Sequence, residues 1–322
     1  MLFDKNIKET GVFSVTRTTT VTSIRNRSIL DMCCHFVRGK NEEEETMTTN
    51  SSDPSDAGIN WESDEIAEHW SRNQARRDEH IGPATEMMLD LAGLQSGHRV
   101  LDVAAGTGGQ TLLAARRVGP SGYVLATDLS SKMLHLAADT AQKSGLTNIE
   151  TRVMNAENLD LDPDSFDAVI CRTALMLFSN PPKALAGMRR AMKAGAKISA
   201  IVFSTAEKNP YQGIPLTVVR RFGGVTPSMF SLGDPQRLRD AFRDGGFPDI
   251  AVHPVSFQRH LSSAVEAIQS LQNAIFLRGP MAKLSDIERE QAWTEIEQEF
   301  AKRQVPAGLD LPGEMLIGVG TK

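Results

Sequence analysis

Residues 99–111 read Arg-Val-Leu-Asp-Val-Ala-Ala-Gly-Thr-Gly-Gly-Gln-Thr, an apolar strand that breaks into a glycine-rich turn. Residues 123–130, Tyr-Val-Leu-Ala-Thr-Asp-Leu-Ser, have the pattern of a second strand that ends on an acid. An open α/β sheet binds its ligand outside the carboxyl ends of parallel strands, where the strand order reverses. Together the two segments predict a nucleoside-binding crevice.

The side chains of these segments fit such a crevice. Gly106 and Gly108 have no Cβ, so the backbone can turn sharply and a ligand can approach it closely. Asp102, at the tip of the first strand, is placed to accept a hydrogen bond or to pair with a cationic ligand group. Asp128 follows at roughly the 20-residue interval at which an acid on the next strand accepts both ribose hydroxyls.

The turn differs from the one that binds dinucleotides. That motif, Gly-x-Gly-x-x-Gly, holds a pyrophosphate at a helix N-terminus. Here Thr111 stands where the third glycine would be, and Asp102 precedes the turn. An acid at that place would repel a pyrophosphate but suits an ammonium or sulfonium group.

The pattern Asp-x-Ala-x-Gly-x-Gly of residues 102–108 resembles motif I of the class I S-adenosylmethionine-dependent methyltransferases, usually written Asp/Glu-x-Gly-x-Gly-x-Gly. Ala104 stands where the first glycine is usual. The resemblance runs from about residue 66 to the C-terminus and is closest to the small-molecule branch that includes quinone-biosynthesis enzymes. It implies S-adenosylmethionine as cofactor, with binding positions at Asp102, Ala104, Gly106, Gly108, Asp128, Leu129, Ala156, Glu157 and Cys171.

The resemblance also implies the fold, a Rossmann-like seven-stranded, mostly parallel α/β sheet with helices on both faces, an antiparallel C-terminal strand and a helical cap. Strand patterns follow at 148–153, 165–172 and 196–203, and a last strand at 311–321 has Pro312-Gly313-Glu314 at its entry. Helical patterns cover 181–193, 234–245 with Asp234 as N-cap, 262–278 and 285–303.

We expect one methyltransferase domain over residues 59–322. It comprises cap helices at 62–94, a core at 98–205, acceptor-side insertions at 206–305 and the last strand. Residues 1–58 lack periodic hydrophobicity and are expected to form a disordered extension. Two alternatives are an organellar transit peptide within residues 1–46 and a physiological start at Met47.

Composition excludes several other classes. A net charge of −5 argues against nucleic-acid binding, which depends on a basic excess or patch. The sequence has no run of about 20 apolar residues, the length that a membrane span requires. Cys33, Cys34 and Cys171 have neither metal-site nor disulfide-framework spacing. We therefore expect a cytoplasmic protein without a metal or a membrane span.

The residues that act on the acceptor are less well defined. Trp70 and His80 are either lid residues or, respectively, a core anchor and a partly exposed polar side chain. Arg172, after the fourth strand, is a candidate to orient an anionic or carbonyl-bearing acceptor. His80, His253 and His260 are candidate general bases. Asn180-Pro181-Pro182 resembles an amine-methylation motif but fits helix initiation better, since Lys183 replaces the aromatic residue.

The sequence thus predicts transfer of a methyl group from S-adenosylmethionine to an O, N or C atom of a small organic acceptor. Two alternatives stay open. One is a non-catalytic S-adenosylmethionine-binding or assembly protein, which a filled space beside Arg172, Met176 and Tyr211 would favour. The other is an NAD(P)-dependent oxidoreductase, which would need the missing third glycine.

Overall fold

A seven-stranded sheet in the order β3-β2-β1-β4-β5-β7-β6 organises the chain. The computed structural model describes residues 59–224 and 228–322; the predicted N-terminal extension, 1–58, lies outside them. Strands β1 to β5 pair in parallel, whereas β7 is antiparallel to both β5 and β6. This topology confirms the predicted Rossmann-like sheet with an antiparallel C-terminal strand.

The secondary structure alternates between strands and helices over the first two thirds of the domain. The strands are β1 (Arg99–Val103), β2 (Tyr123–Asp128), β3 (Ile149–Val153), β4 (Phe166–Arg172), β5 (Met192–Phe203), β6 (Ile250–Leu261) and β7 (Leu309–Thr321). The helices are α1 (Asp64–Arg72), α2 (Gln74–Leu91), α3 (Gly109–Val118), α4 (Ser131–Lys143), α5 (Pro181–Ala191), α6 (Pro210–Arg221), α7 (Pro235–Asp244), α8 (Ala264–Gln272), α9 (Ile275–Ala282) and α10 (Asp286–Ala301).

The central strands are mostly apolar because helices cover both faces of the sheet. Val100 of β1 and Ile170 of β4 point to the face that α2 and α3 cover. Leu101 and Val169, their neighbours along the strands, point to the opposite face and pack with α5 and α7. The strand order reverses between β1 and β4, so the loops after β1, β2 and β4 surround the carboxyl edge where a ligand crevice is expected.

A separate apolar cluster lies beyond the sheet. Helices α6, α8, α9 and α10 pack together with the ends of β6 and β7, around residues such as Leu216, Leu271, Phe300 and Leu311. This cluster is built from the region predicted to be an insertion. Its apolar residues are core residues, as their spacing in the sequence indicates.

The last two strands differ from the sequence analysis. Strand β6 was not foreseen, although the alternation of its apolar and polar residues is a strand signal. Pro254 interrupts that pattern, and sheets tolerate proline mainly on edge strands, where β6 lies. Strand β7 begins at Leu309, so Pro312-Gly313-Glu314 lies within the strand and pairs with β6.

The helix predictions were mostly correct, with one break that was missed. Asn180 accepts a hydrogen bond from the Lys183 amide and begins α5, and Asp234 caps α7 in the same way. The helix predicted at 262–278 is two helices, because the chain leaves helical geometry at Asn273 and Ala274.

No helix in the described part of the chain is both long and apolar enough to cross a membrane.

The close approach of α7 to the sheet depends on a glycine in β7. A Cβ built on Gly318 would lie 2.8 Å from Cε2 of the fully buried Phe242. We expect Gly318→Ala to lower the free energy of unfolding by about 1–3 kcal/mol, because the ring has no room to move. In α5, Gly187→Ala is a matched control with only ordinary contacts, and helix propensity predicts a gain of about 0.5–1 kcal/mol. Urea unfolding of both variants measures the difference; equal effects would contradict this packing argument.

Candidate cofactor crevice

The carboxylate of Asp128 fixes the glycine-rich turn to the second strand. Its Oδ2 accepts a hydrogen bond from the Gly106 amide at 2.8 Å, and its Oδ1 accepts one from the Ser130 amide at 2.9 Å. Burial raises the pKa of Asp128, and these backbone donors oppose that rise. Asp128, which was predicted to bind the ribose, therefore also joins the loop after β1 to the loop after β2.

The turn after β1 needs left-handed backbone. Gly106 and Gly108 have φ of 55° and 85°. A Cβ on Gly106 would meet no atom within 4 Å, so this residue faces open space, whereas a Cβ on Gly108 would lie 2.8 Å from Ala137 Cβ of α4. The first glycine thus leaves room for a ligand, and the second leaves room for helix packing.

Ala104 has a left-handed backbone although it carries a Cβ. Its φ is 56°, a value that residues with a Cβ rarely take and that glycine takes readily. The residue at the position where motif I usually has its first glycine therefore has a conformation that suits glycine.

Asp102 lies fully buried behind the turn. Its Oδ1 accepts a hydrogen bond from Gln110 Nε2 at 3.0 Å, and its Oδ2 accepts one from Thr111 Oγ1 at 2.5 Å. Burial raises the pKa of this carboxyl to about 7 against the effect of those two donors. The acid predicted to meet a cationic ligand group thus holds the first turn of α3 in place, and sequence reasoning missed both of its partners.

Two exposed apolar side chains flank the crevice. Leu129 follows Asp128 and is 51% exposed, and Val153 ends β3 and is 56% exposed. Both lie at the carboxyl edge of the sheet, where Val153 is the register partner of Asp128. Leu129 was predicted as a binding residue and Val153 was not. The available signal for Val153 was its position at the end of β3, the strand next to the acid-bearing β2.

Three other predicted binding positions lie on the β3 and β4 side. Ala156 is buried in a short 3₁₀ turn after β3. Glu157 Oε1 accepts hydrogen bonds from the amides of Ser179 and Asn180, so this carboxylate fastens the loop before α5. Cys171 is fully buried in the core, and burial raises the pKa of its thiol to about 12. The thiol is therefore neutral, as a small buried apolar residue would be.

Arg172 pairs with the cap helix α2. Its Nη1 lies 2.9 Å from Asp78 Oδ1 and 3.2 Å from Thr85 Oγ1, and the arginine is only 8% exposed. A Cβ on Gly109, at the start of α3, would lie 2.6 Å from Arg172 Nη2, so the guanidinium lies against that helix N-terminus. Because Asp78 neutralises Arg172, the arginine is less suited to orient an anionic acceptor than its position in the sequence suggests.

The cap helices combine charged and aromatic side chains. The Arg77 guanidinium lies 4.1 Å from the centroid of the Trp70 ring, and burial followed by the nearby Arg172 lowers the pKa of Arg77 to about 10. Trp70 stacks on Trp61 at 6.3 Å between centroids. The structure places His80 farther along α2 with its Nε2 buried and without a hydrogen-bond partner among the described residues.

Exposed polar contacts fasten the cap to the domain. Glu62 accepts hydrogen bonds from the amide and hydroxyl of Ser131, at the start of α4. Lys132 pairs with Asp64 at 2.5 Å, and Arg278 of α9 pairs with Glu65 at the same distance. These polar contacts surround a small buried cluster in which Ile66 and Ala67 of α1 pack with Met133 of α4 and Ile275 of α9.

The two histidines of β6 lie away from the turn. His260 pairs with Asp310 at 2.7 Å on the surface, and His253 is a partly buried residue of the same edge strand. Over residues 59–224 and 228–322, no three His, Cys, Asp or Glu side chains come together in a group that could hold a metal ion.

Comparisons with known proteins agree with this geometry. Residues 94–218 match a family described as a methyltransferase domain. The ubiquinone/menaquinone biosynthesis C-methyltransferase UbiE of Pasteurella multocida is 35% identical over 127 residues, which are 39% of this chain and 47% of the relative. The enzyme of the same name from Erwinia tasmaniensis is 28% identical over 181 residues, or 51% of this chain and 72% of the relative. The chain spans about half the length of the first curated relatives that it matches.

Solved structures show the same fold. The YcgJ protein of Bacillus subtilis superposes with a TM-score of 0.53 at 20% identity, covering 75% of this chain and 98% of that one. A putative methyltransferase of Bacillus halodurans gives the same TM-score and identity, covering 74% and 98%.

The raised pKa of Asp102 predicts how stability depends on pH. In the unfolded chain the carboxyl titrates near its usual pKa of about 4, so the folded state binds the proton more tightly. Stability therefore falls as pH rises from about 4 to about 7 and levels off above. Asp102→Asn, an uncharged isostere, lacks this loss, so from pH 5 to pH 8 its stability relative to the wild type should rise by about 2–3 kcal/mol.

Denaturant unfolding at several pH values measures this difference. Asp244→Asn is the control, because Asp244 is exposed at the end of α7. A constant difference between wild type and Asp102→Asn across this pH range would show that the buried carboxyl is already ionised at pH 5.

Proposed function

We propose that this chain is a class I S-adenosylmethionine-dependent methyltransferase and that it transfers a methyl group from S-adenosylmethionine to a small organic acceptor. The observation that carries the proposal is the crevice at the turn after β1. There Asp128 lies between an open glycine and two exposed apolar side chains. A nucleoside needs these features, namely an acceptor for the ribose hydroxyls and apolar contacts for the base.

The residues present fit the cofactor. In the proposed complex Asp128 accepts hydrogen bonds from the ribose, and Leu129 and Val153 contact the faces of the adenine. Arg77, a partly buried cation beside the crevice, is available to the carboxylate of the methionine moiety. Ala156 and the backbone at Glu157 lie at the adenine edge, as the resemblance implies. Asp102 and Cys171 act from behind the turn, where they support its shape.

The bound cofactor supplies a methyl group that is already electrophilic. The protein's main contribution is then to align the acceptor behind that carbon and to exclude water, which can lower the barrier by about 7–11 kcal/mol. The ion pair of Arg172 with Asp78 serves the second purpose, since it holds the cap helix against the N-terminus of α3. We assign Arg172 a positioning role.

Carbon of a quinone-type ring is one candidate for the methylated atom. Its support is the likeness to the UbiE relatives, whose printed names describe C-methylation in ubiquinone and menaquinone biosynthesis. Oxygen and nitrogen acceptors stay in the proposal, because the matching region covers only part of those relatives, 47% of the Pasteurella multocida enzyme and 72% of the Erwinia tasmaniensis enzyme. We also propose a cytoplasmic location.

A second candidate function has one specific observation in its favour. Arg172, Met176 and Tyr211, the residues expected to border an acceptor pocket, are all less than 9% exposed. A chain that binds S-adenosylmethionine but has no acceptor pocket would look like this. Movement of the cap would reconcile the burial with catalysis, so activity has to be measured directly.

Methyl transfer from S-adenosylmethionine carrying a labelled methyl group tests the proposal. We expect label to appear in at least one member of a panel of reduced quinones, phenols and amines, with one S-adenosylhomocysteine formed per methyl transferred. Saturable binding of S-adenosylmethionine with no transfer to any compound class would support the non-catalytic candidate instead. Saturable binding of NADH would favour the oxidoreductase alternative.

Removing the Asp128 carboxylate should weaken the cofactor complex. We expect Asp128→Ala to reduce affinity for S-adenosylmethionine by about 10- to 100-fold, the effect of losing hydrogen bonds to a charged group. Calorimetric titration measures the affinity, and thermal unfolding checks the fold, since Asp128 also anchors two backbone amides. Asp139→Ala, on the outer part of α4, is the control. Unchanged affinity in a folded Asp128→Ala protein would rule out the ribose assignment.

A further inference from the structure

A second group of charged side chains joins the cap helix α2 to β6, the strand at the far edge of the sheet. Arg76 and His80 are four residues apart and share one side of α2. Arg259 of β6 lies over the Tyr211 ring, 4.1 Å from its centroid. We call Arg76, His80 and Arg259 the basic cluster.

A short hydrogen-bond chain ties the basic cluster together. Tyr211 Oη and Ser270 Oγ are 2.7 Å apart, and Arg76 Nη1 donates to the same Ser270 oxygen at 3.3 Å. The cluster thus joins four elements, α2, α6, β6 and α8. Three of these four, α6, β6 and α8, come from the region after β5, where the sequence predicted acceptor-side insertions.

Within residues 59–224 and 228–322, no carboxylate forms an ion pair with Arg76, His80 or Arg259. The nearest acids are engaged or exposed. Glu266 Oε2 accepts from the amide and hydroxyl of Ser262, and Glu79 is an exposed residue of α2. This absence contrasts with Arg172, which Asp78 neutralises on another side of the same helix.

Two members of the basic cluster are partly buried. Nε2 of His80 is buried without a partner among the described residues, an arrangement that folded proteins usually avoid. Burial lowers the pKa of His80, Arg259 and Arg76 lower it further, and Glu79 opposes them. Burial also lowers the pKa of Arg259, with Arg76 adding to the effect. An anion at this place would offset the repulsion between Arg259 and the exposed Arg76.

The strand register places the cluster on the same edge of the sheet as the crevice. Phe203, the last residue of β5, pairs with Met315, which in turn pairs with Val255. Residues 256–261 and 309–314 therefore continue beyond the carboxyl end of β5, and Arg259 belongs to this extension. On α2, Arg76 precedes by two residues the Asp78 that contacts Arg172.

We propose that the basic cluster binds an oxyanion group, carboxylate or phosphate, of the methyl acceptor, so that the substrates of this chain are anionic small molecules. This inference rests on the proposed function, because it assigns the cluster to the acceptor of that reaction. Arg76 and Arg259 form charge-assisted hydrogen bonds to the oxyanion, and the His80 ring lies beside it. Neutral acceptors of the same size lack the group that the cluster recognises.

Calorimetric titration of the full chain with three matched probes tests the proposal. The probes are sodium benzoate, phenyl phosphate and neutral benzamide, each added with and without saturating S-adenosylhomocysteine. We expect saturable binding of at least one anion and none of benzamide, and the stronger of the two anions identifies the oxyanion. Failure of both anions to bind would overturn the inference.

Variants separate recognition from folding. Arg259→Gln and Arg76→Gln should each weaken binding of the preferred anion at least tenfold, and Arg259→Lys should retain most of the affinity because it keeps the charge. The exposed Arg76 keeps the test valid if Arg259→Gln unfolds. Arg237→Gln, exposed on α7, is the control and should bind like the wild type. Equal affinity in Arg259→Gln, Arg76→Gln and the wild type would overturn the proposal.

A separate readout tests the contact with His80. Nuclear magnetic resonance of the imidazole should show its pKa rising when the anion binds, since a nearby negative charge favours the protonated form. An unmoved pKa at saturation would exclude His80 from the site.

Titration with S-adenosylmethionine distinguishes this inference from the proposed function. Cofactor binding without anion binding overturns only the inference, whereas anion binding without cofactor binding overturns the proposed function.

Discussion

The buried carboxylate of Asp102 is the constraint on which the cofactor crevice depends. It lies at the end of β1 and accepts hydrogen bonds from Gln110 and Thr111, the second and third residues of α3. These two hydrogen bonds fix both ends of the turn between β1 and α3, and they restrict the backbone conformation of its left-handed residues. A hydrogen-bonded polar group in this position specifies the conformation of the turn, which apolar packing alone would define less well. The cost of burying it is visible in its raised pKa.

The second acid of the crevice, Asp128, lies on the other side of the turn. Asp128 joins the same turn to the start of α4 through two backbone amides. One carboxylate behind the turn and one in front of it thus hold the glycines between neighbouring strands. Ala104 can occupy a left-handed position in such a frame, because the surroundings determine its backbone conformation.

Sequence reasoning succeeded where the pattern is local. A few consecutive residues determine each of the features that were predicted correctly. These are the apolar runs of β1, β2 and β4, the glycine turn, and the caps at Asn180 and Asp234. Strand β6 was missed although its apolar and polar residues alternate, because Pro254 lies in the middle of the pattern. The pairing of Arg172 with Asp78 escaped it for another reason, since 94 residues separate the partners and only the packing of the cap brings them together. Charge compensation of this kind decides which arginines can bind a ligand.

The two cap helices are held differently, which has a consequence for how the crevice opens. Helix α2 buries Ile81, Met88 and Leu89 against the sheet, whereas α1 buries only Ile66 and Ala67, in a small cluster with residues of α4 and α9. The other contacts of this first segment run through exposed side chains, and exposed ion pairs contribute little, typically below about 1 kcal/mol each. Separation of α1 therefore exposes less apolar surface than separation of α2. The sheet and α2 can remain intact while ligands enter and leave, so the rigidity needed for alignment and the mobility needed for exchange reside in different segments of one chain.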